Sequence, residues 1–383
     1  MRITHADVWK VVVPCRADVL ERDGRWYDPG LSTFDRIPKW IVRLHTDTGL
    51  TGLGESSRGE PEAAIRAGIE ALVGQDPRRF SLARLPLPPG ASYTTLEMAV
   101  FDLLGKAWEV PVATLLGGAR QPRVLVDYWA SRRSPEETAR QAKRGQELGF
   151  HGIKIKVALA HPLARHGAAP GERTTSLGDA SERHAVTADD PVVQRVAAIR
   201  AACGPDFTIT IDPNCRFYEP ARAAAIAREL EPYRILVLED PIPWQNRWEA
   251  YRLLRRKTTV PLAIHVSSPD AVLEAIRHDA VDYLNLNGSL VDFVRMAYLA
   301  EQAGIRCWHG SGVDLGIRDM AYLHAAIAAP NCTLPSDLVG NFLREDDLIV
   351  EPIPIEDGFA RLPERPGLGV ELDEEALARY AVD

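Results

Sequence analysis

Lys154 and Lys156 close an apolar run, Phe150 to Lys156, and three later runs end on side chains that hold metals or move protons. Asp212 ends Thr208-Ile-Thr-Ile-Asp, Glu239 ends Ile235-Leu-Val-Leu-Glu, and His265 ends Leu262-Ala-Ile-His, at near-equal intervals. A lysine pair, two carboxylates and an imidazole on successive parallel strand ends describe a barrel enzyme whose base and ligands meet at one mouth. Two lysines one residue apart on a strand share a face. Each favours the neutral form of the other by like-charge repulsion, which suits an amine to service as a base. The plainer alternative is a pair of solvent-facing lysines at a strand end. For Asp212 and Glu239 the alternative is a strand-end or capping carboxylate.

The elements that would position these groups follow from the apolar pattern. From Val124 onward short apolar runs alternate with helix-like stretches rich in Ala, Arg, Glu and Leu. Strands are expected at Val124–Trp129, Gly152–Lys156, Thr208–Asp212, Ile235–Glu239, Pro261–His265, Tyr283–Leu286 and Arg306–His309, with helices such as Pro220–Leu230 and Met296–Ala303 between them. Seven or eight such units favour a closed barrel over an open sheet, and no Gly-x-Gly-x-x-Gly follows the first strand to suggest a dinucleotide site. The first third differs. Strands at Val8–Val13, Trp40–His45 and Thr51–Glu55, then helices at Ala63–Val73 and Thr94–Glu109, form an α+β module. The stretch from residue 158 to 190 breaks the rhythm after Lys156 and reads either as a lid or as an excursion without chemistry. The Pro-rich tail, Pro352 to Leu368, is expected to cross back to the first module.

The 383 residues are 46% hydrophobic and 26% charged, enough for a large core and two domains. A net charge of −8 argues against a nucleic-acid partner. The five cysteines share no metal spacing and read as free thiols of a reducing cytosol. The amino terminus has no apolar signal core and no run is long enough to span a bilayer, so the expectation is a cytoplasmic protein without membrane or nucleic-acid partners.

Taken in order, Leu96-Glu-Met-Ala-Val-Phe-Asp-Leu-Leu-Gly-Lys-Ala, Leu115-Leu-Gly-Gly, Lys154-Ile-Lys156, Asp212-Pro-Asn214, Glu239-Asp-Pro241 and Pro366-Gly-Leu-Gly resemble the enolase superfamily, in its mandelate racemase and muconate lactonizing enzyme branch. The resemblance implies a modified TIM barrel, (β/α)7β, over residues 123–350. It also implies an α+β capping domain over 1–122, completed by a tail over 351–383. It implies a divalent metal, usually Mg²⁺, abstraction of a proton α to a carboxylate of a small molecule, and a homo-oligomer. Lys156 takes the role of base and Lys154 that of a carboxylate-holding partner. Asp212 and Glu239 match the first two metal ligands, and Asn214 the position that contacts metal-bound substrate, with an Asx-turn as its alternative.

The chain departs from the family pattern in two places. Where one branch has a glutamate as third ligand stands Val266, and where the other has an aspartate stands His265. The expected set is therefore Asp212, Glu239 and His265, a softer set that also suits Mn²⁺, Fe²⁺ or Zn²⁺. The alternative is a hydrogen-bonding His265 and a weakened or missing metal. The sixth strand ends in Asn285 and Asn287, read as substrate contacts, where a lysine is found in the lactonizing branch. His309 at the seventh strand end, oriented by Asp282, is expected to be the acid on the opposite face. Trp26 and Tyr27 sit in a capping loop, where they would exclude water and touch substrate, or only pack the domain interface. Asp314 and Asp337 in mouth loops read equally as substrate contacts or loop caps. The leading expectation is an acid-sugar dehydratase. A racemase or epimerase, a metal-poor binder without turnover, and a Schiff-base barrel enzyme using Lys156 are the alternatives.

Overall fold

The computed structural model describes residues 1–19, 37–90, 92–157 and 190–383. Trp26 and Tyr27, and the stretch expected as a lid apart from its last residue, lie outside them.

The first module is built on a three-stranded antiparallel sheet of β1 (Ile3–Val11), β2 (Lys39–Thr46) and β3 (Thr51–Glu55). The β2–β3 hairpin turns through Gly49, whose φ of 82° favours glycine. Helix α1 (Glu62–Leu72) and helix α2 (Tyr93–Ala107) cover one face. Helix α2 carries an almost continuous buried run, Thr95 to Gly105. It presses so closely on β3 that a Cβ on Gly52 would lie 2.1 Å from the Ala99 carbonyl oxygen, and one on Gly54 2.2 Å from that of Thr95. Only glycine permits that approach.

After α3 (Val112–Leu115) comes β4 (Val124–Leu125), then β5 (Tyr128–Ala130), α4 (Pro135–Glu147), β6 (Gly152–Lys156), α5 (Pro191–Cys203), β7 (Thr208–Asp212), α6 (Pro220–Leu230) and β8 (Val237–Glu239). The rhythm continues with α7 (Trp248–Arg255), β9 (Leu262–Val266), α8 (Pro269–Arg277), β10 (Tyr283–Leu286), α9 (Leu290–Gln302), β11 (Arg306–His309) and α10 (Gly316–Ala328). Strands β5 to β11 form one curled parallel sheet in sequence order. Parallel bridges from Val126 to Ser336 and from Cys307 to Cys332 bring residues 332–337 between its two edges, as an eighth, irregular stave. The helices start where the local chemistry provides for their free N–H groups. Ser134, Asp190, Ser268 and Ser289 each accept a hydrogen bond from the first turn, and proline follows the first three. This is the modified barrel with a capping module expected from the sequence.

The expected strand Val124–Trp129 is divided. Val124–Leu125 pairs antiparallel with β13 (Phe359–Ala360), the partner of β12 (Ile355–Glu356). Between the two pieces, Asp127 turns its carboxylate inward to accept a 3.0 Å hydrogen bond from Thr210 Oγ1. Beyond α11 (Gly340–Leu343) the tail meets the first module twice. Gly367 exchanges backbone hydrogen bonds with Val110 and Val112, and after α12 (Glu374–Tyr380) the amide of Val382 donates to Lys10.

One buried charge network fastens the capping sheet to the barrel. Lys39 of β2 pairs with Glu55 at the end of β3 and, at 2.6 Å, with Asp314 before α10. Glu55 in turn accepts backbone N–H bonds from Leu315 and Arg318, both 2.8 Å, at the positive end of α10.

Candidate active site

Strand register sets the site. Lys156 pairs with Asp212, Glu239 with Ala263, and His265 with Asn285, so side chains of one parity turn toward the barrel axis at neighbouring levels. Lys154 Nζ lies 2.7 Å from Asp337 Oδ2, 2.8 Å from Glu239 Oε2 and 3.7 Å from Asp212 Oδ2. Its contact to Glu239 is an ion pair without hydrogen-bond alignment, because Oε2 accepts none. Lys156 Nζ pairs with Asp212 Oδ2, and Asn214 donates to the same carboxylate from its backbone (2.8 Å) and its side chain (3.2 Å). Asn285, fully buried, donates 2.8 Å to Glu239 Oε1.

These contacts decide who carries charge. Burial opposes the ammonium of Lys154, but Asp337, Glu239 and Asp212 outweigh it and hold the group well above the ordinary lysine value. Burial likewise opposes ionisation of Asp212, and the two lysines overcome it and keep that carboxyl well below its usual range. Glu239 goes the other way. Burial, and then the charge of Asp212, push it up to about 7. Burial and the neighbouring lysines push His265 down to about 4, so its imidazole is neutral at neutral pH.

Part of the expected donor set, Glu239 and His265, lies where a divalent cation could be held. Glu239, Asp240 and His265 each offer a ligand atom within 4.8 Å of the other two. Glu239 Oε2 is a buried oxygen without a hydrogen bond, and neutral imidazole is the ligating form of histidine. Asp212 stands one step further round, bridged to Glu239 through Lys154. Asp240 Oδ1 accepts from the His265 backbone N–H, 3.0 Å, which ties the end of β9, and with it the imidazole, to the loop after β8.

A cavity of about 320 Å³ opens over these groups. Lys154, Lys156, Asp212, Asn214, Glu239 and His265 all line it. So does Arg58, which follows β3 on the capping module, together with Ser311 to Val313 from the loop before α10.

The roles expected of Asp282, His309, Asn285 and Asn287 fail on geometry. Asp282 stands at the beginning of β10, where it accepts from Arg255 Nε (2.8 Å) and the Leu262 amide (2.9 Å). Tyr283 pairs with Arg306, so Asp282 is level with residue 305, about 13 Å of strand below His309. It cannot orient that imidazole. His309 itself has the wrong parity. Trp308 is in register with the inward Asn285, and His309 with core Leu286. The ring therefore lies behind the sheet, stacked on Tyr322 at 4.0 Å and edge-on to Phe293. It is fully buried, neither nitrogen is hydrogen-bonded, and burial pushes it down to about 3. It is not a solvent-side acid. Asn287 is also turned away. Its amide donates to the Gly310 carbonyl, and its oxygen accepts from the Gly288 amide and the Tyr322 hydroxyl. Asn285 serves Glu239 and does not line the cavity among its described residues.

Trp129, Arg132 and Arg216 also line the cavity, as does Asp337, although no motif marks the first three. Trp129 pairs with Lys154, so strand parity would have found it. Arg132 and Arg216 lie on loops past strand ends, where no period reveals direction.

Comparison with known proteins identifies the family. Residues 137–376 match the family described as enolase C-terminal domain-like, and residues 29–117 match the mandelate racemase / muconate lactonizing enzyme N-terminal domain. A D-galactonate dehydratase family member from Chromohalobacter salexigens is 28% identical over 371 residues, covering 88% of this chain and 90% of that one. The N-succinyl-L-Arg/Lys racemase of Bacillus cereus is 26% identical over 409 residues, covering 100% and 98%. The crystal structure of muconate cycloisomerase from Pseudomonas fluorescens, 22% identical, superposes with a TM-score of 0.79 over 100% of this chain and 99% of that one, a likeness of fold.

Proposed function

This chain belongs to the mandelate racemase / muconate lactonizing enzyme family of the enolase superfamily, and on that premise we propose that it removes a proton α to a substrate carboxylate with Lys156 as the base. The observation that carries the reading is the convergence of Lys154, Lys156, Asp212 and Glu239 on one cavity. The relatives named above are a D-galactonate dehydratase family member and an N-succinyl-L-Arg/Lys racemase, and removal of a proton α to a carboxylate is a chemically sufficient first step for either a dehydration or a racemisation.

In the reading we favour, the reaction is dehydration of an acid sugar or related hydroxy acid. Lys154, held as an ammonium, receives the substrate carboxylate and stabilises the enediolate as charge moves onto it. The Lys156 amine takes the α-proton. The resulting ammonium returns that proton to the departing β-hydroxyl on the same face. The C–H and C–O bonds break, water leaves, and the enol product tautomerises to a 2-keto acid. One group thus does the work for which His309 had been expected. Asp212, Glu239 and His265 would hold a divalent metal, Mg²⁺ by family and Mn²⁺, Fe²⁺ or Zn²⁺ by the softness of His265. When bound, it supplies concentrated positive charge next to the substrate carboxylate. A racemase or epimerase is the second reading. It is favoured by the presence of His265 on the same cavity as Lys156, where an imidazole not engaged by metal could serve the opposite face.

The proposed division of labour follows residues 1–122 as cap, 123–350 as barrel and 351–383 as returning tail, in a homo-oligomer supported by family resemblance. Among the described residues no helix is long and apolar enough to cross a membrane. The test is solvent-deuterium exchange at the substrate α-carbon. Lys156→Ala should abolish it, and retained exchange would remove the base assignment.

A further inference from the structure

A second group of metal-binding side chains lies on the capping module, away from the cavity. His5 and Asp7 stand on β1 and His45 on β2. His5 is directly opposite His45 in the register, and Asp7 is the next residue of the same face along β1. A bulge produces this placement. Ile3 pairs with Thr46 and His5 with His45, so over this step β1 carries an extra residue, Thr4. Without it, His5 would share the face of Ile3, which is buried with Val42, Leu44 and Leu96 under the helices. The extra residue turns His5 to the opposite face, beside His45. There His5 is exposed, and Asp7 and His45 are half-buried.

A ring nitrogen of each histidine and a carboxylate oxygen of Asp7 all lie within 4.8 Å of one another. The two imidazoles are stacked, with centroids 4.3 Å apart and planes 3° from parallel. The Thr4 hydroxyl donates to the His45 carbonyl oxygen at 3.3 Å and lies 2.9 Å from His5 Nδ1. Its single proton is engaged by the carbonyl, so the second contact is an Nδ1–H donated to Thr4 Oγ1. In the neutral ring the lone pair is then on Nε2, which has no hydrogen-bond partner among the described residues. A histidine held through one nitrogen and open at the other is arranged as metal-ligating imidazoles are. His45 Nε2 meets Asp7 Oδ2 at 2.8 Å, and Asp7 has no other side-chain partner among the described residues. Arg43, level with Asp7, is turned to Glu374 and to the Trp9 ring. We propose that His5, Asp7 and His45 bind a divalent cation of their own on the cap, of the class of Zn²⁺, Ni²⁺ or Cu²⁺. Two imidazoles and one carboxylate suit those ions over Mg²⁺, which takes oxygen donors and keeps much of its water. Three protein ligands leave a position for water or an outside donor. The ion replaces the proton shared by His45 and Asp7 and ties the bulged start of β1 to β2. None of the three residues lines the cavity over Lys154, so this site does not rest on the proposed function.

The test is equilibrium dialysis of the full chain against low-micromolar Zn²⁺ with Mg²⁺ in excess, followed by metal analysis. Glu239→Gln serves as the parent, because it removes a candidate active-site ligand that could also take Zn²⁺. The parent should retain a Zn²⁺ ion. His5→Gln and His45→Ala, each added to that parent, should weaken its binding at least about tenfold, since losing a residue that merely supports a ligand already costs that much. His5 is exposed, so His5→Gln keeps the test decisive should His45→Ala fail to fold. A parent that holds no Zn²⁺, or one whose Zn²⁺ affinity His5→Gln leaves unchanged, overturns the proposal and reduces the group to a His45–Asp7 hydrogen bond on a sheet surface.

Discussion

Lys154→Met is the most informative single substitution. It keeps the length of the side chain and removes an ammonium enclosed by Asp337, Glu239 and Asp212 at 2.7, 2.8 and 3.7 Å. Asp337 and Glu239 would lose this ammonium, and Asp212 would keep its contact with Lys156. Breaking a buried ion pair from one side costs about 3–5 kcal/mol, chiefly because the remaining charge is stranded. The loss should depend on pH. Lys154 is raised above its unfolded value, so its contribution is fully present below about pH 10 and disappears only as pH rises through the folded value. At the acid end, the contribution requires ionised partners, and Glu239, pushed up to about 7, is lost as pH falls through neutrality. Urea unfolding of metal-free protein at pH 8 should therefore show the full deficit, and unfolding at pH 5.5 a smaller one. A divalent cation at about a hundred times its dissociation constant adds about 2.7 kcal/mol to the native state, and it should rescue the variant more than the wild type because it replaces the missing charge. A deficit under about 1 kcal/mol at pH 8, or the same deficit at both pH values, would refute this account of the site.

Other expectations follow from the same contacts. His309→Phe, which keeps an aromatic ring on Tyr322 and removes two nitrogens that make no hydrogen bond, should cost under about 1.5 kcal/mol and leave turnover within a few-fold. A general acid at that position would instead show a loss of about 10²–10⁴ in kcat. Metal affinity measured by calorimetry should rise between pH 6 and 8 as Glu239 loses its proton near 7, with protons released on binding. Gly310→Ala would place a Cβ 2.1 Å from Asn285 Oδ1, so it should displace the amide that holds Glu239 and weaken metal binding with little change in the fold, as circular dichroism would show.

The residues that sequence placed well are those for which strand ends suffice. Lys154, Lys156, Asp212, Glu239 and His265 each close an apolar run, and a parallel sheet brings such ends to one rim. Parity was harder. Cys307, Trp308 and His309 are all buried, because a barrel strand is covered on both faces, and no polar alternation says which of them turns inward. A histidine at a strand end was legible; that it turns toward Phe293 and Tyr322 was not. Asp282 failed for a related reason. It begins a strand, and the beginning of a barrel strand is the wrong rim for chemistry, a point that the boundary at Tyr283 could have supplied. Arg132 and Arg216 depend on loop paths, which local pattern does not encode.

The Lys39–Glu55–Asp314–Arg318 junction has a practical corollary for anyone recombining this enzyme with its relatives. A transplanted capping module would arrive without its counter-ions unless positions 314 and 318 travelled with it, and the chimera would strand charge in the seam. Retargeting by grafting should therefore move both halves of the clasp together, or leave the clasp alone and vary the loop tips that face the ligand.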